Sequence, residues 1–163
     1  MTIECQIPIR ELDAEAARHP TISELFTYWR SLNQGLPPTR KSFDFMSVYS
    51  VAPNLLMAEH VDKFAFRFIY CGTFVADNFP LDLTGKIFTP QTARISQVNW
   101  PSFFTETIKT PSIRFGREPV DWPNDEYKEI ICGVFPLTEE DGRCAYALAC
   151  LIFLEKQAFD RVL

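Results

Sequence analysis

The sequence predicts an α+β domain: a five-stranded, mostly antiparallel sheet with helices over one face and a helix ahead of it. Three observations carry this. An apolar stripe at helical spacing runs through residues 22–32, an aromatic recurs at every second position from Phe64 to Tyr70, and the last third holds three strand-like runs parted by turn residues. The chain has 163 residues, 47% hydrophobic and 23% charged. That is one domain of ordinary composition, large enough to fold without metal or disulfide.

Residues 1–20 read as a lead-in with one short helix near Asp13–Arg18. Thr21 and Glu24 fit a capping box, and Ile22, Leu25, Phe26, Trp29 and Leu32 follow as one stripe. Gly35 stops this helix and Pro37-Pro38 forces an extended linker. Asp44 caps a short helix through Phe45–Ser50. Two strands follow, over 54–61 and 64–71; in the second, the period of two puts Phe64, Phe66, Phe68 and Tyr70 on one face. Residues 73–111 hold no good strand. Thr73 caps a short helix, Leu83-Thr84-Gly85 is a turn, and residues 91–110 are a helix that Pro101 kinks or restarts, with Ile95, Val98, Phe103, Phe104 and Ile108 on its apolar side. Strands over 112–117, 127–137 and 145–155 finish the core, the last two joined by a hairpin at Glu139-Glu140-Asp141-Gly142. The helical block has to cross from one edge of the sheet to the other. Residues 21–155 thus form the domain and 156–163 a tail.

Charge and cysteines bound the partners. Sixteen Lys and Arg stand against twenty-one Asp and Glu, a net −5 without any basic cluster. This disfavours nucleic acid and anionic membranes, both of which need a basic face. Cys5, Cys71, Cys132, Cys144 and Cys150 are odd in number and show no C-x-x-C spacing, which reads as reduced thiols in a cytoplasmic protein. The first ten residues lack the apolar core of a signal peptide. The longest apolar run, 144–154, is too short to span a bilayer.

The element order and a spaced set of residues resemble one family. These are Tyr28-Trp29 with Leu32, Gly35-Leu36-Pro37, Arg40, Asp44, the strand Phe66–Tyr70 running into Gly72-Thr73, and Leu83-Thr84-Gly85. Together they are similar to the single-domain PAS-like proteins common in alphaproteobacteria, first catalogued as a domain of unknown function. The similarity covers residues 21–155, and Phe45 departs from the family's usual Pro. The resemblance implies a PAS-like fold and a sensory or interaction role exercised through a small ligand, a partner or a dimer. It also implies where cofactors would sit. The haem sensors' proximal His and the flavin photosensors' Asn-Cys-Arg-Phe motif are both missing from residues 74–111. No cofactor is expected.

Other chemistry is weakly signalled. His19 and His60 are the only histidines and the cysteines do not cluster, so no metal site is expected. There is no G-x-S-x-G, no Cys–His pairing and no phosphate loop. The acidic groups at 118–129 and 139–141 read as solvated turns. The positive candidates are two. Phe66, Phe68, Tyr70, Phe103, Phe104 and Ile131 would enclose a cavity for a small apolar or amphipathic ligand, with Tyr70 as its polar anchor. Arg114 and Tyr127 are further polar groups that strand direction could turn inward. The stripe Ile22, Phe26 and Trp29 packs either on the sheet or on a second copy as a homodimer. The expected function is a stand-alone PAS-like sensory, ligand-binding or signalling interaction domain without catalysis, with no output domain in the chain. The alternatives are a ketosteroid-isomerase-like cone enzyme, which needs a pocket Asp and Tyr, and an interaction module with no cavity.

Overall fold

A computed structural model describes residues 7, 9–11, 14–79, 83–89, 100–119 and 127–155. Its elements are β1 (Ile9–Glu11), α1 (Ala14–Arg18), α2 (Pro20–Leu32), two 3-10 turns (Phe45–Val48 and Ala52–Asn54), β2 (Leu55–Asp62), β3 (Ala65–Cys71), α3 (Thr73–Asn78), β4 (Ile87–Phe88), α4 (Trp100–Lys109), β5 (Ile113–Pro119), β6 (Tyr127–Thr138) and β7 (Cys144–Glu155). The strands form one seven-stranded sheet in the order β1-β5-β6-β7-β2-β3-β4. All neighbours are antiparallel except β1 with β5. The architecture is α+β. The five predicted strands are its long members, and β1 and β4 extend its two edges. The chain leaves β3 near one edge and re-enters at β5 near the other, so the block containing α3 and α4 spans the sheet.

Both faces of the sheet are covered, where the sequence suggested helices over one. Leu56, Ala58, Phe66, Phe68, Ile130, Cys132, Val134, Ala147, Ala149 and Leu151 face α3 and α4. Leu55, Met57, Ile131, Phe135, Leu137, Leu148 and Cys150 face α2 and the 3-10 turns. This two-sided burial explains why β6 and β7 read as continuous apolar runs rather than alternating ones.

The N-terminal helix begins two residues earlier than its capping signal suggested. Pro20 takes the first position, where a missing N–H costs nothing. His19 is the cap, and its Nδ1 accepts from the Thr21 amide at 3.3 Å. Glu24 instead accepts from Ser50 Oγ at 2.7 Å, which pins the following turn to the helix. Gly35 lies at φ 84° and ends the helix, its amide bonded to Arg30 O at 3.0 Å. Asp44 Oδ1 caps the first 3-10 turn through the Met46 amide. Gly72 opens α3 against a wall of backbone: a Cβ there would lie 2.4 Å from the carbonyl oxygens of both Ala52 and Pro53. In α4, Pro101 occupies the first turn, so it starts the described helix rather than kinking it. Ile95 and Val98, predicted on the same helix, lie outside the described residues, as does the tail after Glu155.

Candidate functional site

The predicted aromatic cavity is not assembled as the period of two foretold. A β-bulge decides this. Ala58 pairs with Phe68 and Met57 with Tyr70, so Ile69 has no partner on β2. The extra residue turns the strand over. Phe66 and Phe68 face α4, while Tyr70 faces the opposite side, 4.3 Å centroid to centroid from Phe45. The Tyr70 hydroxyl donates to Ala52 O at 3.2 Å. Burial first, and Cys71 second, raises its pKa. Tyr70 therefore anchors a turn to the sheet and is not the pocket anchor. Ile131 is also on the α2 side, fully buried, because its neighbours Ile130 and Cys132 take the α4 side.

The rings that do face α4 pack on one another. Phe104 meets Phe66 at 5.6 Å and Phe68 at 6.2 Å, both edge to face, and Phe68 meets Phe88 at 4.9 Å. All four are at most 7% exposed. The central strand explains the fit: β7 presents Ala147 and Ala149 on this face, and small side chains there leave room for large rings opposite. Phe103 stands aside, half-buried, against Arg114.

The stripe proposed for dimerisation is also used within the chain. Ile22, Leu25 and Trp29 are fully buried on the sheet. Phe26 stacks on Phe135 at 5.8 Å and meets Phe115 edge-on at 5.8 Å. Trp29 Nε1 donates to Pro136 O at 2.9 Å. Of the two partners left open by the sequence, the helix has taken its own sheet.

Among the described residues are two surface grooves, each of a size that holds a small molecule. The first, about 670 Å³, lies between the 39–45 segment and the β6–β7 hairpin. Its charges balance: Arg40, Lys41 and Arg143 stand against Glu139, Glu140 and Asp141. Arg40 lies 5.3 Å over the Tyr146 ring, and the Tyr146 hydroxyl donates to Glu139 Oε1 at 2.5 Å. Burial, reinforced by that carboxylate, raises the Tyr146 pKa.

The second groove, about 660 Å³, is one-signed. The β2–β3 turn contributes His60, Lys63 and Phe64, the end of α4 contributes Thr105, Ile108 and Lys109, and the β6–β7 hairpin contributes Gly142, Arg143 and Cys144. Ile108 gives an apolar floor and Phe64, 50% exposed, an apolar wall. No Asp or Glu among the described residues lines it. Lys63, Lys109 and Arg143 take part in none of the ion pairs found among the described residues. His60 Nε2 is bonded to Lys63 O at 2.7 Å, which fixes the turn. None of these cations was signalled by the sequence, since they stand far apart in it and only the meeting of two turns and a helix end gathers them.

Catalytic groups are sparse among the described residues. The buried polar side chains are Thr107, Ser112, Arg114, Glu118 and Thr138, with no Asp. Cys132 and Cys150 are buried and Cys71 and Cys144 half-buried, and no disulfide joins any of these four. Burial, the largest cause, pushes both the Cys144 and Cys150 thiols up, the reverse of what a nucleophile needs. No group of three or more His, Cys, Asp or Glu among the described residues could hold a metal ion. No described helix is long and apolar enough to cross a membrane. The carboxylates Asp121, Asp125 and Glu126 lie outside the described residues. No protein-family model matches the chain, and no curated protein is similar to it.

Proposed function

We propose that the chain is a PAS-like sensory and interaction domain that binds an amphipathic anion and has no catalytic activity of its own. The observation that carries this is the course of the chain through the sheet. Two strands lie beside the last strand, and a helical block spans to the far edge before the other three are laid down. That is the arrangement implied by the resemblance carried by residues 21–155. A cone enzyme is the weaker reading, because it needs a carboxylate sunk in a cavity and the described core contains no buried Asp.

The ligand reading moves from the sheet floor to the cationic groove. The floor is occupied by Phe66, Phe68 and Phe104. The groove joins apolar surface to three cations that have no ion pair among the described residues, which suits an acid with a short hydrocarbon or aromatic body. The signal passes to a separate partner or a second copy through a surface other than the α2 stripe.

Native mass spectrometry of freshly purified protein, followed by a thermal-shift screen of fatty and aromatic acids, tests this reading. A ligand at 100 times its dissociation constant stabilises the native state by about 2.7 kcal/mol, a shift of several degrees for a domain of this size. Lys109→Glu with Arg143→Glu should abolish the shift and leave the fold intact. A screen with no hit that this double change removes, or turnover of any screened acid, would refute the proposal.

A further inference from the structure

The α4-facing side of β5 differs from the rest of that face. Elsewhere the face is apolar; here Ser112, Arg114 and Glu118 are buried, at 2%, 8% and 4% exposure. Arg114 pairs with Val134 and Glu118 with Ile130, and both partners belong to the core beneath α4. Gly116 lies between them, so that position carries no side chain. A guanidinium stays protonated in a protein and has five N–H groups to satisfy. In Arg114 it lies 4.9 Å over the Phe103 ring and gives Nη1 to Glu106, whose side chain is 61% exposed. Arg114 Nε is hidden from solvent and has no partner, and so is Ser112 Oγ. Buried polar atoms are almost always paired, and each orphan works against the fold.

We propose that Arg114 anchors a binding site for a small carboxylate between α4 and β5, with the free Nε–Nη2 edge as its fork and Ser112 as a second donor. That edge of a guanidinium presents two parallel N–H groups at the spacing of a carboxylate's two oxygens. Glu106, on the opposite edge, already shows the guanidinium engaged by a carboxyl group. Phe103 holds the plane of the fork, which removes the cost of ordering it on binding. The charge of the ligand follows from the surroundings. Glu106 already contacts the cation, so a monoanion is tolerated where a dianion such as a phosphate ester is repelled. The site uses Phe103 and Glu106 of α4, whereas the cationic groove uses Thr105, Ile108 and Lys109. It stands whether or not the PAS-like reading does.

The test is a titration of the full chain with benzoate and with acetate, at constant ionic strength and pH, followed by thermal shift and by calorimetry. Inorganic phosphate and chloride are the comparison ions. Benzoate should give a saturable rise in melting temperature, and phosphate and chloride should not. Arg114→Lys keeps the charge and loses the fork, so binding should weaken at least about tenfold. Arg114→Met should abolish it, and Ser112→Ala should weaken it. Glu106→Gln, which does not touch the core, should tighten it by freeing the guanidinium from its competing carboxylate. Lys109→Glu should leave it unchanged, which separates this site from the groove. Three outcomes would overturn the proposal: no carboxylate shifts the wild type, as when ordered water alone meets these atoms; phosphate binds in its place; or Glu106→Gln weakens the response.

Discussion

Replacing Gly133 by alanine should destabilise the domain through one identifiable contact. Gly133 lies on β6 beneath α2, and its added Cβ would sit 2.8 Å from Ile22 Cγ2, 3.1 Å from Phe135 and 3.3 Å from Phe115. Overpacking a filled core costs about 1–3 kcal/mol, and the ring contacts are tight enough to place this change near 2. Ile22→Ala alone leaves a cavity at a fully buried site and costs about 2–5 kcal/mol. The two changes are not independent, because the alanine at 22 removes the methyl that the alanine at 133 meets. The double variant should therefore be about 1–2 kcal/mol more stable than the sum of the single effects, the coupling expected of residues in contact. Urea melts at matched protein concentration give the three differences. Each kilocalorie corresponds to about 2–4 °C in melting temperature for a chain of this length. Additivity within about 0.5 kcal/mol would refute the packing of α2 on its own sheet. So would a midpoint that rises with protein concentration, which would place the helix on a second copy.

Two other changes test the fold elsewhere. Gly72→Ala puts a Cβ against two backbone carbonyls that have no rotamer by which to give way, so a loss of about 3 kcal/mol or more is expected; a melting temperature within about 2 °C of wild type would contradict it. Cys150 has its thiol pKa raised by burial, with smaller contributions from Cys132 and Glu24. A raised acid favours its neutral form in the native state, so its contribution is complete below the unfolded thiol value and is lost as pH rises above it. Stability should hold up to about pH 8 and decline beyond about pH 9, with a shallower decline in Cys150→Ala; an equal decline in both would assign the effect elsewhere.

The parts of the fold legible in the sequence are those set by local chemistry. The α2 stripe, the turns at Gly35, Gly85 and Gly142, the Asp44 cap and the five long strands follow from periodicity and from residues that tolerate positive φ. The parts that were not legible depend on partners distant in sequence. Strand β1 has three residues and β4 two, too short for any alternation, and they exist because β5 and β3 offer open edges. His19 became a cap because Pro20 claims the first helical position ahead of Thr21. The cationic groove has the same character: Lys63, Lys109 and Arg143 each look like ordinary surface charges, and only the tertiary fold brings them together. Arg114 was visible as a polar residue in a strand, but its face depends on a register that sequence does not fix.

The bulge at Ile69 ties these threads to function. With regular alternation, Tyr70 would have joined Phe66 and Phe68 under α4, adding a hydroxyl and a third ring to that face. The extra residue instead sends Ile69 and Tyr70 together to the α2 side, where Tyr70 closes on Phe45 and Ala52. The aromatic face below α4 is thereby left with rings that the alanines of β7 accommodate. Among the described residues of the sheet, the buried polar side chains on that side gather at and just before β5, near the far edge, where Arg114 and Ser112 hold buried polar atoms without partners. The two sites we propose for a ligand recognised by charge, the groove around Lys109 and the fork of Arg114, both lie away from that floor. A single unpaired residue in β3 is what takes the Tyr70 hydroxyl off it.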